Sequence, residues 1–240
     1  MNKIILFIFF VIIIYIFFHN SKDDDYYKYL KNKNVIIVGP AGHVNNGEFI
    51  DSFDVVIRLN KGMDLSKNEP QKYGKKTNIM YLADHHSYNR LTENEINNLN
   101  FIKFQFPKTE NKNYFHPIGK NEYDFYKNFN FTNKIRRTNH EYLNFEKEIQ
   151  TRPNCGTTAI WDILRYPIKS LYITGITFNT TKTSGNYYKN GGIVLKKDQK
   201  NEGPHNLKNI IDYFNRKIII DKRVKYDKEF KKSLEHFKNK

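Results

Sequence analysis

Cysteine is almost missing from this chain, and that excludes more than any motif present. With Cys155 as its one thiol in 240 residues, the protein forms no intrachain disulfide and builds no cysteine metal cluster. Zinc-protease and Walker signatures are absent too: no HExxH occurs, and GKKT at 74–77 lacks the upstream glycine spacing of a phosphate loop. There is no internal repeat and no long low-complexity linker. Acidic residues are in short supply, 25 against 40 basic ones, for a formal charge of +15. Such an excess could drive nucleic-acid binding by counterion release. The lysines, however, are spread along the whole chain among Asn, Ile, Tyr and Phe, the pattern of an A/T-biased genome and not of a focused basic face. A nucleic-acid partner is therefore not expected.

Long apolar runs are also scarce, with one exception. Ile4 to Phe18 is uninterrupted, preceded by Lys3 and followed by His19, Asn20 and the acidic triplet Asp23–Asp25. It is shorter than the roughly 20 residues of an untilted span, so a cleaved signal peptide is a rival reading. Bulky Phe17 and Phe18 stand where a cleavage site needs small residues, which favours an uncleaved anchor. The expected organisation is a signal anchor over residues 1–20, a short stem over 21–33 and one folded domain over 34–240. The amino terminus would be cytoplasmic and the rest across a Golgi or equivalent secretory membrane, as a single-pass type II protein. Sequons at Asn130 and Asn179 are compatible with a lumenal domain.

Within the domain, strand and helix signals alternate. Strands are expected at 35–38, 54–58, 77–82, 101–106, 170–174 and 217–220, and helices near 91–99, 121–129, 157–165, 206–215 and 227–237. This alternation argues for an α/β domain with a Rossmann-like, mostly parallel sheet flanked by helices. The C-terminal helix is amphipathic, with Phe230, Leu234 and Phe237 near helical spacing to cover the core. The stretch 107–150 shows little pattern beyond its aromatic residues and is expected to be irregular.

The densest signal is VIIVGPAGHVNNGEFIDSFDVVIRLN at 35–60. A buried strand at Val35–Val38 runs into a loop whose Gly39 and Gly42 permit a sharp turn, at the strand's carboxyl end where open α/β sheets bind ligands. The third glycine of a dinucleotide fingerprint is missing, and the second strand ends in Arg58 and Asn60 instead of an acidic ribose ligand, so NAD is not expected. Asn60 can donate and accept toward a ribose or phosphate, or cap its own loop. Arg58 either pairs with a carboxylate such as Asp51 or Asp54 or touches substrate. In PNCGTTAIWDIL, Asn154 is an N-cap candidate, and the helix it opens would offer free N–H groups to a phosphate. His205 lies between Gly203-Pro204 and a helical pattern.

These segments, taken in order, resemble glycosyltransferase family 29, the sialyltransferases. Gly39, Gly42, Ile50, Asp51, Asp54, Val56, Arg58 and Asn60 fall in register with the large sialyl motif. Pro153, Asn154, Cys155 and Gly156, followed by Leu171 to Gly175, match the small one. Tyr187 and Tyr188 echo the third motif, and His205 meets the very small one. The resemblance implies a sialyltransferase variant of the GT-A fold that transfers a sugar from a cytidine monophosphate donor to a glycan hydroxyl with inversion. The donor it implies is CMP-sialic acid, with a related keto-sugar such as Kdo, or an inactive nucleotide or glycan binder, as alternatives.

For the site, the resemblance implies His205 as catalytic base. It implies a nucleotide-sugar pocket from Gly39, Pro40, Ala41, Asn60, Asn154, Cys155, Gly156, Thr157, Tyr187 and Tyr188. No metal or other cofactor is expected beyond the CMP-sugar co-substrate, because the sole D-x-D, Asp23–Asp25, lies in the stem. Three positions depart from the family pattern. Pro40 replaces an Asn, Ile210 stands where a Glu is usual, and Asn186 precedes the tyrosines where the third motif has a histidine, leaving the tyrosines, Lys189 or a helix end to hold the phosphate. Val35 and a residue near Ile168 stand where relatives have a disulfide, so packing must replace the crosslink.

Overall fold

The computed structural model describes residues 25–106, 124, 128–187, 201–202 and 205–236. The apolar run at 4–18, Tyr188, Lys189, Phe237 and most of the helix expected at 121–129 lie outside them.

The core is a seven-stranded parallel sheet in the order β5-β4-β3-β2-β1-β6-β9. Its strands are β1 Asn34–Val38, β2 Val55–Leu59, β3 Ile79–Leu82, β4 Phe101–Phe104, β5 Ile135–Arg137, β6 Ser170–Thr174 and β9 Val224–Tyr226. A separate antiparallel pair joins β7 Asn201–Glu202 to β8 His205–Asn206. Side chains alternate across the sheet, as strand geometry requires. From β1 and β2, Val35, Ile37, Val55 and Ile57 pack on one face, and Ile36, Val38 and Val56 on the other. Both faces are covered, which is why these strands read as unbroken apolar runs. Val35 pairs in register with Leu171, and Val35, Leu171 and Ile168 are all buried in the same core.

The helix Cys155–Leu164 covers the first face and carries a buried ion pair with it. Lys103 Nζ on β4 lies 2.5 Å from Asp162 Oδ2, with the two side chains only 2% and 1% exposed. Tyr81 donates to the same oxygen at 2.5 Å, and the Tyr26 and Tyr81 hydroxyls meet at 3.0 Å. Burial, with the Asp162 charge added, pushes both phenols well above their usual range. Removing one partner from such a pair typically costs about 3–5 kcal/mol, because the other charge is left buried alone. The pair fixes this helix, and therefore its N-terminus, to the sheet.

Three expectations need correction. Residues 217–220 are not a strand: a π-helical turn, Phe214–Ile218, continues the preceding helix Leu207–Tyr213, and the last strand is β9. Leu207, Ile210, Ile211, Phe214 and Ile218 form one buried stripe at helical spacing, while Ile220 is 68% exposed, so the isoleucine run does not alternate as a strand would. Second, 107–150 is not irregular throughout, since it contributes edge strand β5 and the helix Glu141–Ile149. Third, 21–33 is not all stem. Residues 25–30 are helical, and Tyr26 and Leu30 are fully buried in the core, so the domain extends upstream of residue 34. Phe230 and Leu234 of the C-terminal helix Lys228–His236 are buried as expected.

Candidate functional site

Strand order reverses between β1 and β6, and a cleft of about 290 Å³ opens at the carboxyl ends of the strands there. This is the switch point where crevices form in open α/β sheets. At its base Gly39 and Gly175 touch. A Cβ on Gly39 would sit 2.2 Å from the Gly175 carbonyl oxygen, and Gly175 itself has φ of 69°, so both positions need glycine for the chains to approach. Gly39 therefore shapes the cleft from below and does not line it.

Pro40, Ala41, Asn60, Asn154, Cys155, Gly156, Tyr187 and His205, all singled out from the sequence, line this one cleft. Thr157 does not. It is buried one turn into the helix, where its N–H donates to Asn154 Oδ1 at 2.9 Å. That bond confirms Asn154 as the N-cap. It also uses the third N–H of the helix, leaving those of Cys155 and Gly156 without a protein acceptor among the described residues. Cys155 is no nucleophile: burial drives its thiol far up, and its Sγ lies 3.4 Å from the Tyr81 carbonyl.

Asn60 caps its own loop and also lines the cleft. Its backbone is left-handed, φ 48°, and its Oδ1 accepts from the Ala83 N–H at 2.7 Å, which ties the end of β2 to the end of β3. The amide Nδ2 has no partner among the described residues. Arg58 is structural. It is 1% exposed and donates to Thr77 Oγ1 and to the carbonyls of Tyr73, Gly74 and Lys76, not to Asp51 or Asp54 as expected. Asp51 instead accepts from the N–H groups of Lys75 and Lys76. Burial lowers the Arg58 guanidinium to about 10.

His205 sits on β8 at the mouth of the helix Leu207–Tyr213, which Asn206 caps. Its Nδ1 lies 2.8 Å from the Arg152 carbonyl oxygen. A carbonyl only accepts, so Nδ1 carries the hydrogen and Nε2 keeps its lone pair. Burial lowers the imidazole pKa, and the nearby Arg152 charge adds to that against the hydrogen bond, so the neutral form is favoured. Asp212, seven residues on, is half-exposed and paired with Lys208 at 2.7 Å.

Several lining residues carried no sequence signal for a binding site: Gln105, Arg152, Thr177, Phe178, Asn179 and Thr183. Three of them present buried polar atoms without a partner among the described residues, Gln105 Oε1, Arg152 Nε and Thr183 Oγ1. Buried polar atoms are nearly always satisfied, so their convergence makes this cleft the candidate ligand site. Phe178 and Asn179 at the lip have φ of 47° and 58°, a strained pair for non-glycine residues. Asn179 is half-buried in the lining, so a glycan on that sequon would block the cleft, whereas Asn130 is exposed.

The loop bearing Thr183 and Tyr187 is pinned from outside. Glu69 Oε1 accepts from Ser184 Oγ at 2.5 Å and Asn186 Nδ2 at 2.9 Å, and Lys72 pairs with Oε2 at 2.7 Å. Hydrogen bonds from Lys72, Ser184 and Asn186 hold the Glu69 carboxyl down to about 2. Asn186, in place of the histidine of the third motif, is thus part of a clamp. A second space of about 510 Å³ shares Asn60 and Tyr187 with the cleft and continues over Lys61, Asp84, His86, Ser87 and Arg90.

A mammalian sialyltransferase in complex with Gal-β-1-3GalNAc-ortho-nitrophenol superposes with a TM-score of 0.50 at 15% identity, over 82% of this chain and 70% of its own. The fold is that of sialyltransferases. A mammalian sialyltransferase structure described without that ligand matches at the same score and identity, over 82% of this chain and 69% of its own. An α-2,3-sialyltransferase from Campylobacter jejuni aligns at 0.49 with 16% identity, over 81% and 75%. No family model matches the sequence, and no curated protein does. The sialyltransferase-like α/β fold expected from the motifs is present. Among the described residues no helix is long and apolar enough to cross a membrane.

Proposed function

We propose that this protein is a sialyltransferase-like glycosyltransferase that moves sialic acid from CMP-sialic acid to a hydroxyl of a glycan, with inversion and without a metal ion. The observation that carries the reading is His205. It lines the switch-point cleft, its Nδ1–H is fixed by the Arg152 carbonyl, and its Nε2 is left unprotonated, as a general base requires. The shared sialyltransferase fold supports the same assignment.

In this reading the cytidine monophosphate part of the donor lies against Pro40 and Ala41, with Asn60 Nδ2 reaching its polar atoms. The N–H groups of Cys155 and Gly156 meet the phosphate, where the helix dipole favours negative charge. His205 Nε2 takes the proton of the acceptor hydroxyl as that oxygen attacks the anomeric carbon. The bond from that carbon to the phosphate oxygen breaks, its electron pair leaves with cytidine monophosphate, and attack from the opposite face inverts the centre. A monophosphate leaving group carries less charge to neutralise than a diphosphate, so the helix end and polar side chains suffice in place of a cation.

A donor panel tests this reading. CMP-sialic acid should be consumed in the presence of a glycan array, and CMP-Kdo and uridine diphosphate sugars should not; turnover of a uridine diphosphate sugar alone would refute it. We also place the apolar run Ile4–Phe18 in a secretory membrane as an uncleaved anchor. Amino-terminal sequencing of the membrane-extracted protein should begin before residue 18, and a start after it would refute the anchor.

A further inference from the structure

Arg152 is the cationic lining residue that the reaction above leaves unused. It stands just before the capped helix and beside His205, Gln105 and Asn154 in the cleft. Its guanidinium lies over the Phe106 ring, 4.6 Å from the centroid. The side chain is half-buried, its Nε is fully enclosed without an acceptor, and no carboxylate pairs with it among the described residues. Four other arginines are matched. Arg58 is engaged by carbonyls, Arg90 by Asp64, Arg165 by Glu141 and Arg223 by Asp221. A planar fork stacked on an aromatic ring is preorganised for a bidentate oxyanion, and a partly desolvated cation in a cleft is stabilised by meeting one.

We propose that Arg152 is the oxyanion receptor of this cleft, a substrate-binding residue that takes a phosphate or carboxylate oxygen of the donor beside the His205 imidazole. The inference rests on the cleft being a CMP-keto-sugar site, since such a donor carries both groups. It also supplies the anion ligand that the third-motif position, held by Asn186 in the Glu69 clamp, does not provide. Because the Arg152 carbonyl holds His205 Nδ1, a donor bound to the guanidinium is set in register with the base through a single residue. A bound anion also offsets the Arg152 charge, which opposes protonation of His205. Donor occupancy therefore strengthens the base at the moment it is needed.

Calorimetric titration of cytidine, CMP and the unreactive donor CMP-3-fluorosialic acid into wild type, Arg152→Gln and Arg152→Lys tests this. Loss of a charge-assisted pair should weaken the donor by about tenfold or more in Arg152→Gln, with Arg152→Lys intermediate and cytidine unchanged. An equal loss for CMP and donor assigns the phosphate as the ligand. A loss larger for the donor than for CMP assigns the carboxylate. Both anionic ligands at wild-type affinity in Arg152→Gln, or a loss that extends equally to cytidine, overturns the proposal while the CMP-site reading stands. Wild type that binds neither CMP nor donor overturns both.

Discussion

The His205 imidazole donates its Nδ1–H to the backbone carbonyl of Arg152 at 2.8 Å, while the Arg152 guanidinium faces the same cleft. One residue thus fixes the tautomer of the base and adds the charge that keeps it neutral. Burial is the larger cause of the depressed imidazole pKa. Since only neutral His205 accepts a proton, transfer should persist at pH values where an ordinary histidine, near 6.5, is already half protonated. The acid limb of kcat/KM, which reports the free enzyme, is expected below that value. A limb in kcat/KM well above it would contradict the assignment of a buried, neutral base.

Asn60 should be separable into its two halves. Asn60→Asp keeps the oxygen that accepts from Ala83 N–H but replaces the Nδ2 donor with charge, so CMP affinity should fall about tenfold with the melting temperature nearly unchanged. Asn60→Ala should lose both, and it also places a Cβ residue without local hydrogen bonding at φ 48°, which adds about 1–2 kcal/mol of instability. Calorimetry and thermal melting of the two variants side by side check this. Unchanged CMP affinity in Asn60→Asp would remove the amide from the site.

Glu69 links the cleft loop to pH. Its folded pKa is held near 2, below the ordinary value of 4.5, so its stabilisation is present above pH 4.5 and is lost as pH falls toward 2. Glu69→Gln should therefore melt lower than wild type at pH 6, with the gap closing as the pH is lowered through that window. The same variant should raise KM for the donor more than it lowers kcat, because it loosens the loop of Thr183 and Tyr187 and leaves His205 untouched. A melting gap independent of pH would show that the clamp does not act through the ionised carboxylate.

Much of this architecture is legible in local sequence, for identifiable reasons. Strands β1 and β2 are buried on both faces, so their apolar runs stand out, and the Asn154 cap and the glycine turn at Gly39 are chemistry contained within a few residues. The edge strand Ile135–Arg137 is short and carries two arginines, which hides it among polar residues. Ile218, Ile219 and Ile220 look like a strand because β-branching speaks louder than periodicity in three residues, yet the stripe begun at Leu207 decides their fate. Gln105, Arg152 and Thr183 lie far apart in the chain and follow no spacing rule. Only the sheet, by bringing the ends of β4, β6 and the helix at Cys155 to one crevice, makes them a group. Glu69 is invisible for the same reason, as its partners Ser184 and Asn186 are distant in sequence.

The most direct measurement is acceptor-dependent release of cytidine monophosphate from CMP-sialic acid, followed for wild type and His205→Ala at equal nucleotide occupancy. Removing a positioned general base typically lowers rate by about 10² to 10⁴. The account predicts release in wild type that rises with glycan acceptor, and in His205→Ala a rate at least about a hundredfold lower with CMP affinity nearly unchanged. Wild-type turnover in the His205→Ala protein would contradict it.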